Sequence, residues 1–571
     1  MLTLQRPPPL VLRNTQRCDR FDTETGTPDA RALDRLGVET ALSNHVLPLQ
    51  SAGAITPVAA ASRVDFRRIE PHLKTLLGPI VCRLATKHAI EEALLDMRRA
   101  HLARRAETRT PDAESCRTWS TVRMALLLVI AAAALGTLTY SAPALLLWVL
   151  IVWACLTLLA VTGLRAGAAI TQLVHLRRRG RGWRSTRSVY LPPARLPPIS
   201  ILVPLYSERD IATRLIERLT ALDYPRDRLE VVLILEWNDA VTEAALRAND
   251  LTKWMRIVRV PQGQLRTKPR AMNYALDFTQ GEIVGIYDAE DAPARDQLMR
   301  VAAAFQRAPQ NVACLQGILD FYNAARNPLT RCFAIDYAAW FRLILPGFER
   351  LGLVLPLGGT TVFFRRNALE ALGRWDAHSV TEDADLGLRL ARHGFRCGFL
   401  SIVTEEEATA TIPAWLRQRS RWIKGYAMTW AVHMRDPLRL LGELGAWRFL
   451  GVQILFLGTL SQFLLAPLLW SFWLILFGLP HPFTAIAPHE VVVGLGILFF
   501  FSEVIMLATA AAAVARPKHR WLIKWVPLMH FYFPLAAIAS WKGFAEMLSH
   551  PFYWDKTHHG QDLADGSKAA R

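Results

Sequence analysis

EIVGIYDAED, residues 282–291, is the stretch on which the fold of this chain turns. Glu282–Tyr287 is short, apolar and β-branched, as a strand inside a sheet should be. Two carboxylates follow at once, Asp288 and Glu290, one residue apart. On an extended chain, residues i and i+2 point the same way. The pair can therefore face one point and hold a hard divalent cation, Mg²⁺ or Mn²⁺, bridging to substrate phosphates. Taken alone, the same two residues read equally well as solvated acids at a strand end.

Upstream, Ile199–Tyr206, Glu230–Glu236 and Arg256–Pro261 are similar runs, with helical patterns such as ATRLIERLTAL between or after them. That alternation predicts a doubly wound parallel sheet over about 199–435, whose ligands bind beyond the carboxyl ends of the strands. The proline-rich LPPARLPP (191–198) marks its boundary. RTKPRAMNYAL (266–276) places Lys268, Arg270 and Asn273 at a helix start, where cations and free amides suit a diphosphate. Taken alone, it reads better as an ordinary basic helix start.

Downstream, VTEDADLGLRLARHG (380–394) offers Thr381 as a helix cap, with Glu382, Asp383 and Asp385 in the first turn. Acids there favour the helix dipole, yet Asp383 also suits a general base. In WLRQRSRWIKG (415–425), Trp415, Gln418, Arg421 and Trp422 fall on one stripe, while Arg417, Arg419 and Lys424 project elsewhere. The stripe offers aromatic faces for sugar rings, an amide for hydroxyls and a guanidinium for phosphate. An amphipathic helix lying on lipid would look the same.

The 571 residues suffice for two or three domains. Apolar residues make up 52% of the chain and cluster at 121–164 and 447–545. The first cluster reads as a transmembrane hairpin turning at Tyr140, Ser141 and Pro143. In the second, Leu464–Phe477 and Val491–Ala513 form an out-and-back pair, and 447–463 lies in the interface. Segment 523–545 holds Lys524, His530 and Pro534 and reads as re-entrant or interfacial. Net charge is +18, and Arg177, Arg178, Arg179, Arg181, Arg184 and Arg187 crowd beside a span. Such flanks predict a multi-pass protein of the inner (plasma) membrane with its catalytic domain cytoplasmic. No aromatic-basic module accompanies the charge, so nucleic acid is not the expected partner. The seven cysteines form no close pair, which fits a reduced compartment without a disulfide framework or zinc site. No apolar h-region opens the chain, so no cleaved signal peptide is expected.

The order of these pieces resembles that of processive family 2 glycosyltransferases, relatives of cellulose, chitin and hyaluronan synthases. The resemblance covers about 195–560. It implies an α/β GT-A (Rossmann-like) catalytic domain, 195–435, inserted between transmembrane helices. It also implies Mg²⁺ or Mn²⁺ on Asp288 and Glu290, where the family's motif has Asp at both places, and Asp383 as catalytic base. Pro204, Tyr206, Glu208, Glu236, Asp239, Lys268 and Arg270 match nucleotide-sugar contacts, although LEWNDA departs from the usual Asp-Asp pair. Gln418, Arg421 and Trp422 match the acceptor and diphosphate motif, with Gly358, Gly359 and Thr360 beside the acceptor. FYWDKTHHG (552–560) resembles a gating loop, with Trp554, Lys556 and Thr557 its candidate residues, inside a cytoplasmic tail at 550–571.

The implied reaction is inverting transfer from a UDP-sugar, UDP-glucose by resemblance, to a growing β-glycan. The alternative is non-processive glycosylation of a membrane lipid. A third reading, a cyclic-di-GMP-binding subunit with an inactive transferase fold, is disfavoured by the intact acidic motifs. Residues 1–28 read as a disordered tail, and 29–110 as a small soluble α/β domain. That domain resembles the N-terminal domain of type II secretion ATPases, which implies a cyclic di-GMP or protein partner there.

Overall fold

The computed structural model of the protein describes residues 26–51, 53–178, 195–208, 212–249 and 251–553. The described chain divides into two compact units, up to Arg104 and from Arg105 onward.

In the first unit, β1 (Val46–Pro48) pairs antiparallel with β2 (Thr56–Ala60), which runs parallel to β3 (Ile80–Leu84). Helices Ala30–Leu36, Val38–Ser43 and Arg63–Leu77 cover this small sheet. Asp29 caps the first, accepting from Arg31 N at 2.9 Å and Ala32 N at 3.1 Å. Ser62 caps the third through Asp65 N at 3.0 Å. Leu33, Val46, Val58, Leu73, Ile90 and Leu94 form its buried interior.

The second unit holds an eight-stranded sheet. Its strands are β4 (Ile199–Leu205), β5 (Leu229–Glu236), β6 (Met255–Val260), β7 (Ile283–Ile286), β8 (Ala292–Pro293), β9 (Val312–Phe321), β10 (Val362–Arg365) and β11 (Arg396–Glu406). The order is β6-β5-β4-β7-β10-β9-β11-β8. The four runs seen in the sequence are β4 to β7, mutually parallel, with both faces of β4 buried. The sheet is nonetheless mixed rather than wholly parallel. Strand β10 lies antiparallel between β7 and β9, and β8 is antiparallel to β11. This curled mixed sheet is a GT-A-like fold. Four-residue β10 carries no period that would reveal its direction. Its pairing with β7, Val362 opposite Ile286, is made 76 residues away in sequence.

Parallel strands β4, β5 and β7 end on the same side, so the loops at Tyr206, Asp239 and Asp288 meet there. Residues 105–118 belong to this unit rather than to the small N-terminal one. Buried Asp376 accepts from the Ser115 hydroxyl at 2.8 Å and from Cys116 N at 2.6 Å.

Among the described residues, four helices are long and apolar enough to cross a membrane: Thr121–Ser141, Pro143–Arg178, Pro437–Ile475 and His489–Val514. Segment 447–463, expected in the interface, is instead continuous with 464–475 in one helix. Gly445 (φ 75°) kinks that helix near its start, and a π-helical turn spans Gln453–Gly458. Arg448 and Gln453, the polar residues behind the interfacial reading, are used internally. Arg448 donates to Gly352 O, and Gln453 accepts from Trp430 Nε1 at 2.9 Å. Arg520–Tyr532 and Leu535–Ser549 form a pair bent by 47°, where Pro534 interrupts the helix.

Asp376→Ala should strand two buried donors and lower stability by about 3 kcal/mol. Urea unfolding of the detergent-purified protein checks this, and an unchanged midpoint would show that residues 105–118 do not depend on the contact.

Candidate active site

The ends of the parallel strands open onto a cavity of about 1100 Å³. Residues singled out in the sequence that line it include Pro204, Tyr206, Glu208, Glu236, Lys268, Asp288, Glu290, Gly359, Thr360, Asp383, Gln418, Arg421 and Trp422. Gly358 lines it as well. Trp554, Lys556 and Thr557 lie outside the described residues. Phe552 and Tyr553, just before them, reach the cavity wall, and Lys424 holds that segment through Tyr553 O at 3.0 Å.

Lys268 is the hub. It stands in the first turn of helix Lys268–Leu276, behind its cap Thr267, whose hydroxyl is tied to Ala377 O at 2.8 Å. Its ammonium donates to Asp288 Oδ1 at 2.5 Å and to Gly359 O at 2.8 Å. Burial works against the charge, but Asp288, Glu382 and Asp383 outweigh it, so the ammonium is held more firmly than in water. A methyl group at Gly359 would stand 3.3 Å from Asp383 Oδ2 and 3.7 Å from Lys268 Nζ. Asp288, Lys268, Gly359 and Asp383 therefore form one contiguous cluster.

Asp383 is pushed up to about 7 by burial and by the adjacent Glu382, against the opposing pull of Ala384 N and Lys268. It sits in the first turn of helix Glu382–Arg392. Thr381 occupies the cap position there, but its hydroxyl makes no hydrogen bond. The expected side-chain cap is absent because Thr381 packs directly against Gly425. Asp385 is not in the cavity; it is buried with Arg389 and His433, each at 3.0 Å.

Two expected nucleotide contacts are placed elsewhere. Arg270 is fully buried, held by Glu107 at 2.9 Å and Pro261 O at 2.5 Å, with Glu236 at 3.6 Å. Two helical residues apart is about 200° around the axis, so Arg270 faces away from Lys268. Asp239 accepts from Ser207 N at 2.7 Å and from Thr242 N at 3.1 Å, fixing the loop after β4 rather than lining the cavity. Asn273 is likewise internal, bonded to Ala106 O and Trp375 O. Trp415, placed on the acceptor stripe, is buried against Tyr532, to whose hydroxyl its indole donates at 2.9 Å. Conversely, Arg417 and Arg419 line the cavity, whereas Lys424 is buried beside Glu546.

Arg266 and Glu406 line the cavity and escaped the sequence reading, as did the fully buried Asp291 beside the acidic pair. Arg266 stacks on the Tyr206 ring at 4.6 Å, and it was visible as the first residue of RTKPR. Glu236 is pushed up to about 7 by burial, against Arg270 and Arg266. Asp291 and Glu406 deepen the acidic wall. Burial and mutual repulsion with Asp288 and Glu290 hold both well above the usual carboxylate range. Glu406 ends β11 inside the run TEEEAT, the one signal that could have found it. Thr360 donates to Asp291 and ties the acidic loop to the segment beside Asp383.

Residues 283–515 match the family model described as Glycosyl transferase family group 2. By this match, residues 283–515 are a family 2 glycosyltransferase domain. The chain is 29% identical over 371 residues to the beta-monoglucosyldiacylglycerol synthase of Synechocystis sp., covering 58% of this chain and 75% of that protein. It is 26% identical to the cellulose synthase catalytic subunit of Komagataeibacter sucrofermentans, covering 47% and 35%. Among solved structures, the mannosyltransferase PcManGT of Pyrobaculum calidifontis, in complex with GDP-Man and Mn²⁺, matches at TM-score 0.42 and 22% identity, covering 68% and 99%.

If Asp383 acts as a base, transfer should rise with pH through an apparent value of about 7, because only the ionised carboxylate accepts a proton. Glu382→Gln removes a neighbouring negative charge and should move that limb about one unit lower. A pH–kcat/KM profile of both proteins measures it, and an unmoved limb would exclude Asp383 as the titrating group.

Proposed function

We propose that the protein transfers a hexose from a UDP-sugar, UDP-glucose first among candidates, to a hydroxyl of a membrane lipid at the cytoplasmic membrane face. One observation carries this reading. The cavity that holds Asp383 and Lys268 is also walled by Leu455, Leu460 and Phe463 of helix Pro437–Ile475, long and apolar enough to cross a membrane. The candidate catalytic groups and a helix able to cross a membrane thus share one space, so an acceptor could reach Asp383 with its apolar part still against that helix. The similarity to a lipid glucosyltransferase over three quarters of its length supports the same choice.

Asp383 would take the acceptor hydroxyl proton as that oxygen bonds to the anomeric carbon. The bond to the diphosphate breaks on the opposite face, carrying its electron pair to the leaving group. One such displacement inverts configuration, giving a β-linkage from an α-linked donor. Lys268 and Arg266 suit the negative charge of the diphosphate, and Tyr206 and Glu236 line the donor end.

The residues present fit a divalent cation. Asp291 Oδ1 and Glu406 Oε1 are buried without a hydrogen bond, beside Asp288 and Glu290. That excess of carboxylate oxygen is what a cation relieves. No cage of three or more His, Cys, Asp or Glu side chains exists among the described residues, so phosphate oxygens would complete the shell. Bound there, Mg²⁺ or Mn²⁺ would neutralise charge on the leaving diphosphate.

Extension of a β-glycan is the second reading. It is favoured by Gln418, Arg421 and Trp422 lining the cavity together.

Incubation with radiolabelled UDP-glucose, Mn²⁺ and mixed lipid micelles should give a single-sugar lipid. Asp383→Asn should reduce turnover at least about 10³-fold with donor affinity kept, and EDTA should abolish transfer. A long polymer would replace this reading with the second; undiminished turnover in Asp383→Asn would remove Asp383 from the chemistry.

A further inference from the structure

Arg165 is a guanidinium on the helix Pro143–Arg178, the most apolar of the candidate spans. It stands twenty-two residues beyond Pro143, about 33 Å along the axis. That is close to one hydrocarbon thickness of ~30 Å, so Arg165 emerges at the depth of lipid headgroups. Its side chain does not turn outward to the bilayer surface; it lines the same cavity as Asp383. Among the described residues it makes no hydrogen bond or ion pair. The nearby carboxylate, Asp336, is already engaged by Arg419 at 2.6 Å. Arg417, one more cavity-lining guanidinium, makes no side-chain hydrogen bond or ion pair among the described residues either.

Tyr426 links this cation to the chemistry. Its phenol lies within the electrostatic reach of both Asp383 and Arg165. Gln418 adds a buried carbonyl oxygen without a hydrogen bond, at a position that also lines the cavity. A headgroup here would meet a carboxylate at one end, an amide acceptor alongside and a guanidinium at the membrane end. A neutral glycerolipid would satisfy the carboxylate and the amide through its hydroxyl and leave the guanidinium unpaired. An alcohol carried beyond a phosphate satisfies all three.

We infer that Arg165 is a specificity-determining residue for the acceptor, selecting a phospholipid whose headgroup carries both a free hydroxyl and a phosphate. This rests on the lipid-transfer reading above. The hydroxyl lies toward Asp383, the phosphate pairs with Arg165 beside Tyr426, and the acyl chains follow Phe463 and Leu460. A phosphatidate has the phosphate without the headgroup alcohol, so it occupies the site as a competitive inhibitor. Free inorganic phosphate has no acyl chains to hold it there.

The test compares phosphatidylglycerol with diacylglycerol as acceptor, each in zwitterionic micelles, for the full-length protein and Arg165→Gln. UDP affinity and the thermal midpoint are measured in parallel as controls for folding. The expected result is a preference for phosphatidylglycerol of at least tenfold in kcat/KM, which collapses towards one in Arg165→Gln through KM while UDP affinity is kept. Phosphatidate should inhibit the unaltered protein competitively and Arg165→Gln about tenfold less, with millimolar inorganic phosphate inhibiting neither. Equal use of both lipids, or a preference that survives Arg165→Gln, overturns the assignment and leaves lipid transfer standing. A polymer in place of any lipid product overturns both. Inhibition by inorganic phosphate as strong as by phosphatidate would mean a free anion site rather than a headgroup site. If Arg165→Gln fails to fold, Arg165→Lys replaces it, keeping the charge without the fork. It should retain phosphatidate inhibition at reduced strength, and full loss of the protein's preference without loss of inhibition overturns the assignment.

Discussion

The ammonium of Lys268 between Asp288 and the Gly359 carbonyl is the contact around which the site is arranged. Five carboxylates, Asp288, Glu290, Asp291, Glu382 and Asp383, are gathered there, with Glu406 behind them. Like charges at such spacing repel, and burial removes the water that would screen them. A single cation inside the cluster offsets part of that repulsion and leaves the rest in place. The remainder appears as raised proton affinity at Asp291, Glu406 and Asp383. The same imbalance that raises the proton affinity of Asp383 would make the neighbouring acids receptive to a divalent ion. Substrate and cation would complete the charge balance of the protein alone.

Helix Ile412–His433 carries that centre to the apolar helices through close approaches. Gly425 lets Thr381, the residue before Glu382, pack on its backbone, and Gly543 lets helix Leu535–Ser549 pack on Ser420. Any side chain at either glycine would collide with those neighbours. Lys424, buried between them, pairs with Glu546 at 3.0 Å and holds the chain just before the tail. Gly347 meets the backbone of Ala168 on helix Pro143–Arg178 in the same way, three residues from Arg165. The π-helical turn Trp340–Ile344 lies just before it and brings Trp340 and Phe341 to the cavity while Arg342 pairs with Asp320 at 2.8 Å. Small residues thus fix the distance between the acids and the apolar wall to within the size of a methyl group.

The sequence made the parallel half of the sheet legible because β4, β5 and β7 are largely apolar on both faces and, like the edge strand β6, end in recognisable loops. It left β10 obscure, since a four-residue strand gains its direction from partners far away in the chain. The same division holds within the site. Asp288, Lys268 and Asp383 stand next to signals that a linear reading can use: a strand end, a helix start, an acidic first turn. Arg270 carried the same signal as Lys268 and faces the other way, because helical geometry separates what spacing joins. Glu107, which makes Arg270 an interior residue, lies 163 positions earlier and has no local sign of its partner. The continuity of 447–463 with the following helix was hidden for a related reason. Polar residues that look interfacial in isolation are satisfied by Gly352 and Trp430 once the chain is folded.

Arg165 shows where the two kinds of information meet. In the sequence it is one basic residue after an apolar block, and it counts only towards orientation. In the structure, its depth along the helix and its place on the cavity wall are separate facts, and both are needed. A guanidinium at headgroup depth facing lipid would be ordinary snorkelling. A half-buried guanidinium facing the cavity without a hydrogen bond would regain part of its lost hydration when an anion arrives, most of all from an occupant that brings charge and apolar chains together. On the proposed reading, the carboxylate cluster and Arg165 would act in opposite senses on one acceptor: the first would draw its proton, and the second would hold its charge away from the reacting oxygen.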